Sequence, residues 1–240
     1  MVFDPGGTLP TPIREGGERF RFGSFNHARK LSDATIDLFC AVMHACPNAE
    51  LVLKSISFHE EAEQSRIRKR FELAGLDSNR LILLKSIEGG INHLQLYSQM
   101  DVALDPIPYG GATTTAEALW MGVPVISLEG EGMVGRLSAS LLKYSGCEEW
   151  IANSIDSYVS IAKKFVAQGP RSSIQRMLLR NKLESSALAE GSRLSSELEK
   201  IYDKIYDLSE FTAPDQFKSY DELKGRLDAV LGTKKVVTPK

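Results

Sequence analysis

Three threonines, two glycines and one carboxylate fall within eight residues of each other: Gly110, Gly111, Thr113, Thr114, Thr115 and Glu117. They sit in the run D-P-I-P-Y-G-G-A-T-T-T-A-E-A-L-W-M-G-V-P at 105–124. A threonine ahead of an apolar helical run is expected to cap it, its side-chain oxygen accepting an orphan N–H. The free N–H groups and the dipole of a helix start favour an anion, and hydroxyls there add donors. Two adjacent glycines let backbone approach a ligand with no Cβ in the way. Glu117 lies four residues beyond Thr113, one turn along the same face. Hydroxyls and N–H groups at a helix start, followed by an acid one turn in, suit a phosphate and a sugar hydroxyl. Read locally, the same run also describes an ordinary strand-to-helix turn of a Rossmann-like domain.

Strands and helices must hold that turn in place. M-D-V-A-L at 100–104 is a short apolar run of the kind found in buried parallel strands. The chain from 19 to 152 alternates. Strands are expected at 19–25, 50–56, 80–84, 100–104 and 123–128, with a short edge strand at 148–152, and helices at 34–45, 59–73, 91–99, 113–121 and 133–144. That order predicts an α/β fold, a doubly wound parallel sheet of Rossmann-like form with helices on both faces and right-handed connections. A ligand crevice is expected at the carboxyl ends of the strands. Amphipathic helices follow at 156–167, 172–184 and 192–208, the last with an apolar stripe at Ile201, Ile205 and Leu208. Residues 1–17, rich in Pro and Gly, read as an irregular lead-in, 18–208 as the domain, and 209–240 as a linker, a short helix and a tail.

The 240 residues are 42% hydrophobic and 25% charged, with a formal net charge of −2. A sizeable core follows, and nucleic-acid binding through bulk positive charge does not. Cys40, Cys46 and Cys147 form no C-x-x-C pair, and the histidines show no H-E-x-x-H spacing, so neither a disulfide framework nor a zinc site is expected. No apolar run reaches the roughly 18 residues of a membrane span, and the first residues do not read as a signal peptide. A cytoplasmic location is the expectation.

The run Y-G-G-A-T-T-T-A-E-A-L-W-M-G-V-P resembles the nucleotide-sugar loop of the protein O-linked N-acetylglucosamine transferases, and more closely their bacterial and SPINDLY-type relatives. F-G-S-F-N-H-A-R-K at 22–30 is similar to the F-x-x-F-N-x-x-x-K loop of that family. G-E-G-M-V-G-R-L-S-A-S at 130–140 and G-C-E-E-W-I-A at 146–152 are similar to further segments, so the resemblance spans about 18–208. It implies the C-terminal, donor-binding lobe of a GT-B glycosyltransferase. That enzyme would move a sugar with inversion, N-acetylglucosamine by expectation, from a uridine diphosphate donor to Ser or Thr hydroxyls of a protein acceptor. The donor is a co-substrate, and neither a cofactor nor a metal is implied.

Residue by residue, the resemblance assigns Lys30 to the diphosphate as the catalytic group. An ammonium there stabilises the charge that grows on the leaving group. It places His27 beside the diphosphate, His93 near the nucleotide, and Glu117 on a ribose hydroxyl. Gly110, Gly111, Thr113, Thr114 and Thr115 form the turn and helix start. Arg136 is read either as a ligand contact or as a partner of a carboxylate, and His93 either as a ligand contact or as structural. Trp120, Phe25 and Phe165 are read as core, and the charged helix at 60–70 as a solvated face. Two positions depart from the family pattern: Ala112, where a nucleotide contact is lost, and Gly135 in place of Ser. In the resembling enzymes an N-terminal lobe supplies the acceptor contacts and the general base. The expected partners are therefore the donor, a protein acceptor, and a separate N-terminal catalytic lobe or tetratricopeptide-repeat protein; neither nucleic acid nor membrane is expected. A donor-binding module or split-enzyme subunit is the alternative reading, with little transfer expected from the chain alone.

Overall fold

β-Strands Arg21–Ser24 (β1), Glu50–Ser55 (β2), Leu81–Lys85 (β3), Val102–Leu104 (β4), Val125–Leu128 (β5) and Ile151–Ala152 (β6) build one sheet in the order β3-β2-β1-β4-β5-β6. Every neighbouring pair is parallel. This computed structural model describes residues 10–15, 17–86 and 90–210. Strands buried on both faces are apolar without alternation. Phe22, Leu51, Val52, Leu53, Val102, Leu104, Val125 and Ile126 are all buried, as that rule requires.

The helices are Asp33–Ala45 (α1), Glu61–Leu73 (α2), Gly90–Gln95 (α3), Thr113–Trp120 (α4), Gly132–Tyr144 (α5), Ile155–Gln168 (α6), Ser173–Glu184 (α7) and Gly191–Glu210 (α8). α1 packs on α2 and α6, and α4 packs on α5 and α7. Their starts are written in the sequence: the Ser32 hydroxyl caps α1, and Ser154 and Ser172 form capping boxes with Ser157 and Gln175. The helix expected at 91–99 is α3 followed by a turn of 3-10 helix, Leu96–Gln99. Most of the edge strand expected at 148–152 is likewise 3-10 helix, leaving β6 two residues long.

The described residues up to Ala189 belong to one compact unit. Its lead-in is irregular at 10–15, yet it is tied down. The Arg14 Nε donates to Asp101 at 2.6 Å, the Glu15 N–H donates to the Ser98 carbonyl, and Arg180 reaches the Pro10 carbonyl. Asp101 also accepts from the Arg21 N–H, and fully buried Arg176 of α7 donates to the Met100 carbonyl at 2.6 Å. α8 belongs to a second unit that starts at Glu190. Within α8, Leu194, Leu198, Tyr202 and Ile205 are exposed and Ile201 is half-buried. The side chain of Leu208 and the short helix expected in 209–240 lie outside the described residues.

Candidate functional site

The order β3-β2-β1-β4-β5-β6 reverses direction between β1 and β4. In an open parallel sheet the connections leaving two such strands separate and open a crevice above their carboxyl ends. The loop after β1 carries Asn26, His27 and Lys30. The loop after β4 carries Gly110, Gly111 and the start of α4. Lys30 joins them: its Nζ donates to the Gly110 carbonyl at 2.7 Å and to Asn26 Oδ1 at 3.1 Å, and lies 4.2 Å from the centre of the Tyr109 ring. Asn26 Oδ1 also accepts from the Thr114 hydroxyl at 3.1 Å. Burial pulls the Lys30 ammonium below the usual lysine range, and the nearby Asp105 carboxylate opposes that pull.

Asp105 holds the glycine turn from below. It is 3% exposed, and its carboxylate accepts from the Gly111 N–H at 2.6 Å and the Ser127 hydroxyl at 2.9 Å. Burial raises its proton affinity; the donors from Gly111, Ser138 and Ser127, and the Lys30 charge, work the other way. The glycines are required by this closeness. A Cβ on Gly110 would stand 2.8 Å from Asp105 Oδ2, and one on Gly111 would stand 2.5 Å from Thr115 Oγ1.

The threonines do not cap α4 as expected. Its N-cap is Ala112, and no side chain caps the first turn. The hydroxyls are engaged elsewhere: Thr114 with Asn26, and Thr115 with Ser138 Oγ at 2.8 Å. Thr115 is therefore turned into the core at 2% exposed, while Thr113 is exposed. What the crevice receives is an uncapped helix N-terminus, with its N–H groups and dipole open to an anion.

One turn along, Glu117 Oε2 receives His93 Nε2 at 2.9 Å and the Tyr97 hydroxyl at 2.9 Å. Its other oxygen, Oε1, makes no hydrogen bond among the described residues. The structure thus brings Lys30, Gly110, Gly111, Thr114, Glu117 and His93 to one crevice. Of the other named residues, His27 is exposed, and its Nδ1 accepts from the Arg29 N–H at 3.1 Å, which leaves Nε2 as its hydrogen-bearing nitrogen. Arg136 sits near the start of α5, exposed, its Nε donating to the Gly130 carbonyl at 3.3 Å. The first turn of α5 touches the glycine turn, because the Gly110 N–H donates to the Val134 carbonyl.

Asp105, Asn26, Tyr97 and Lys54 were not selected on sequence. Two signals were available: an Asp closing an apolar strand, and a single Lys inside L-V-L-K-S-I. Among the described residues, no group of three or more His, Cys, Asp or Glu side chains is placed to hold a metal ion. No helix among them is long and apolar enough to cross a membrane.

The sequence matches the family described as Glycosyl transferase family 41 over residues 17–198. The chain belongs to glycosyl transferase family 41. Similar family 41 sequences include proteins of Solanum lycopersicum and Petunia hybrida, each named "Probable UDP-N-acetylglucosamine--peptide N-acetylglucosaminyltransferase SPINDLY". Both are 32% identical over 203 residues, 85% of this chain and 22% of theirs. A solved Thermobaculum terrenum O-GlcNAc transferase mutant is 32% identical with a TM-score of 0.71, covering 82% of this chain and 38% of that one. Sucrose-phosphate synthase from Thermosynechococcus elongatus shares the fold at 16% identity and a TM-score of 0.53, covering 80% of this chain and 46% of its own. This family 41 chain therefore spans about a fifth of the length of the SPINDLY proteins it matches.

Proposed function

We propose that this chain is the donor-binding half of a UDP-sugar-dependent protein O-glycosyltransferase, with UDP-N-acetylglucosamine as the donor. The observation that carries the reading is the pairing of a half-buried ammonium with an uncapped helix start. Lys30 Nζ is fixed by the Gly110 carbonyl at the edge of the turn that opens α4. A diphosphate lying across that turn meets a positive charge on one side and free N–H groups on the other.

In an inverting transfer the acceptor oxygen forms a bond to the anomeric carbon while the bond to the diphosphate oxygen breaks. The electron pair of the breaking bond goes to the diphosphate. Lys30 and the first-turn N–H groups of α4 stand where that charge develops, so they stabilise the transition state more than the ground state. Glu117 Oε1 is the acceptor for a ribose hydroxyl, since a fixed carboxylate oxygen takes hydroxyl donors readily. His27, with its Nε2 hydrogen, is a further donor for the diphosphate. The protein acceptor, and any partner that presents it, belong to this proposal through the names that the relatives carry.

Calorimetry with uridine diphosphate, UDP-N-acetylglucosamine, UDP-glucose and guanosine diphosphate tests it. Saturable binding of uridine diphosphate, tighter with N-acetylglucosamine attached and weakened by Lys30→Ala, is expected. Binding that is equal for parent and Lys30→Ala overturns the assignment of Lys30. Absence of binding by any uridine nucleotide overturns the reading as a whole.

A further inference from the structure

Lys54 is a buried cation that the donor site as described does not use. It sits on β2, 5% exposed, and its Nζ lies 4.8 Å from the centre of the Phe25 ring. Its polar contact is with His93 Nδ1. No carboxylate stands within ion-pair distance of it among the described residues. A charge buried without a direct partner is costly unless another group answers it. The nearest answer comes through the imidazole, from Glu117.

Hydrogen-bond inventory settles the direction of the chain. An ammonium has donors only, so His93 Nδ1 must accept from Lys54. The ring then carries its hydrogen on Nε2, which donates to Glu117 Oε2 at 2.9 Å. Tyr97, whose ring packs edge-on to His93 with centroids 5.8 Å apart, brings its hydroxyl to the same oxygen. Two donors occupy Oε2 and hold the carboxylate in one rotamer, with Oε1 turned free.

We propose that Lys54 is a positioning residue of the donor site, fixing His93 as its Nε2–H tautomer so that Glu117 presents Oε1 to the hydroxyls of the donor's ribose. The role rests on the donor-binding reading for its ligand, while the link from Lys54 to His93 stands without it. Lys54 itself is too buried to touch a donor; it acts two residues away, through His93 and Glu117. A lysine that only filled the core would be replaceable by an unbranched apolar side chain, with no effect on His93 or on ribose recognition.

The experiment uses the full chain with ¹⁵N-labelled histidine, His93 being assigned with His93→Gln, and compares the parent with Lys54→Met and Lys54→Gln. Without ligand, the parent is expected to show the widely split ring-nitrogen signals of a single Nε2–H tautomer. Lys54→Met should lose that split, because Nδ1 then faces no donor and is free to carry a hydrogen as well as Nε2, and Lys54→Gln, which keeps an N–H donor, should retain it. Calorimetry then compares uridine diphosphate with its 2′,3′-dideoxy analogue. The parent should prefer the ribose form about tenfold, as expected for a hydrogen bond to a charged acceptor. In Lys54→Met the preference should fall to about twofold or less. An unchanged tautomer and an unchanged ribose preference in folded Lys54→Met overturn the proposal. A parent that binds neither nucleotide overturns the donor-binding reading, and the nitrogen spectra still decide the role of Lys54.

Discussion

Replacing Asp105 by Ala removes the support beneath the glycine turn, and the structure gives the size of the effect. The carboxylate accepts the Gly111 N–H at 2.6 Å and the Ser127 hydroxyl at 2.9 Å, both in the buried interior. Hydrogen bonds to a charged group contribute about 1.5–3 kcal/mol each, and a buried N–H left without a partner costs about 1–3 kcal/mol. Relief from burying a carboxylate offsets part of this. The net expectation is a loss of about 3–5 kcal/mol, a large fraction of the roughly 5–15 kcal/mol by which a domain is stable. Asp105→Asn keeps the volume and one acceptor for Gly111, and Ser127 can rotate to accept from the new amide, so about 1–2 kcal/mol is expected there. Urea unfolding followed by the fluorescence of buried Trp120 and Trp150 reads both, with unchanged slope as the sign of an unchanged unfolding reaction. Because the turn also places the Gly110 carbonyl that anchors Lys30, uridine diphosphate affinity should fall in the same order, Ala below Asn. A loss of less than about 0.5 kcal/mol for Asp105→Ala, or equal losses for the two variants, would refute the reasoning.

Four further outcomes are expected. Lys30→Ala should weaken uridine diphosphate binding by about 1.5–3 kcal/mol in calorimetry, more than it lowers the urea midpoint. Thr114→Val keeps the volume but removes the hydroxyl that reaches Asn26 at 3.1 Å, and should give a smaller loss of affinity, about 0.5–1.5 kcal/mol. Gly111→Ala places a Cβ 2.5 Å from Thr115 Oγ1 and 2.7 Å from Thr114 Oγ1, so the start of α4 must shift; a thermal or urea scan should show about 1–3 kcal/mol of destabilisation. Burial, opposed by Glu117, pulls the Lys54 ammonium from 10.5 down to about 8. With the folded value below the unfolded one, the unfolded chain binds more protons between the two, so this group makes stability rise as pH goes from about 8 toward 10.5. Urea midpoints across that range should climb in the parent, and less steeply in Lys54→Met.

The central strands were legible because burial on both faces demands uninterrupted apolar residues. L-V-L at 51–53 and V-I at 125–126 allow no other placement in a sheet of this kind. The starts of α1, α6 and α7 fall within one residue of the expected ones for a local reason, since caps such as Ser32, Ser154 and Ser172 bond within their own first turn. The glycine pair and the following helix read, for the same reason, as a helix start open to an anion. The threonines show where local reading fails: their types suit a cap, but Asn26, 88 residues away, and Ser138, 23 away, take two of the hydroxyls, and Ala112 becomes the N-cap. Strand order decided the rest. By laying β1 beside β4, the sheet brings Lys30 against Gly110 across 80 positions of sequence, and it puts Lys54 of β2 against His93 and hence Glu117. A side chain's bonding partner depends on which strands become neighbours, and that is set by the packing of the whole sheet. Residue type and spacing therefore singled out the groups proposed to hold a diphosphate, and only the tertiary structure determined which of them face the crevice and which hold the others in place.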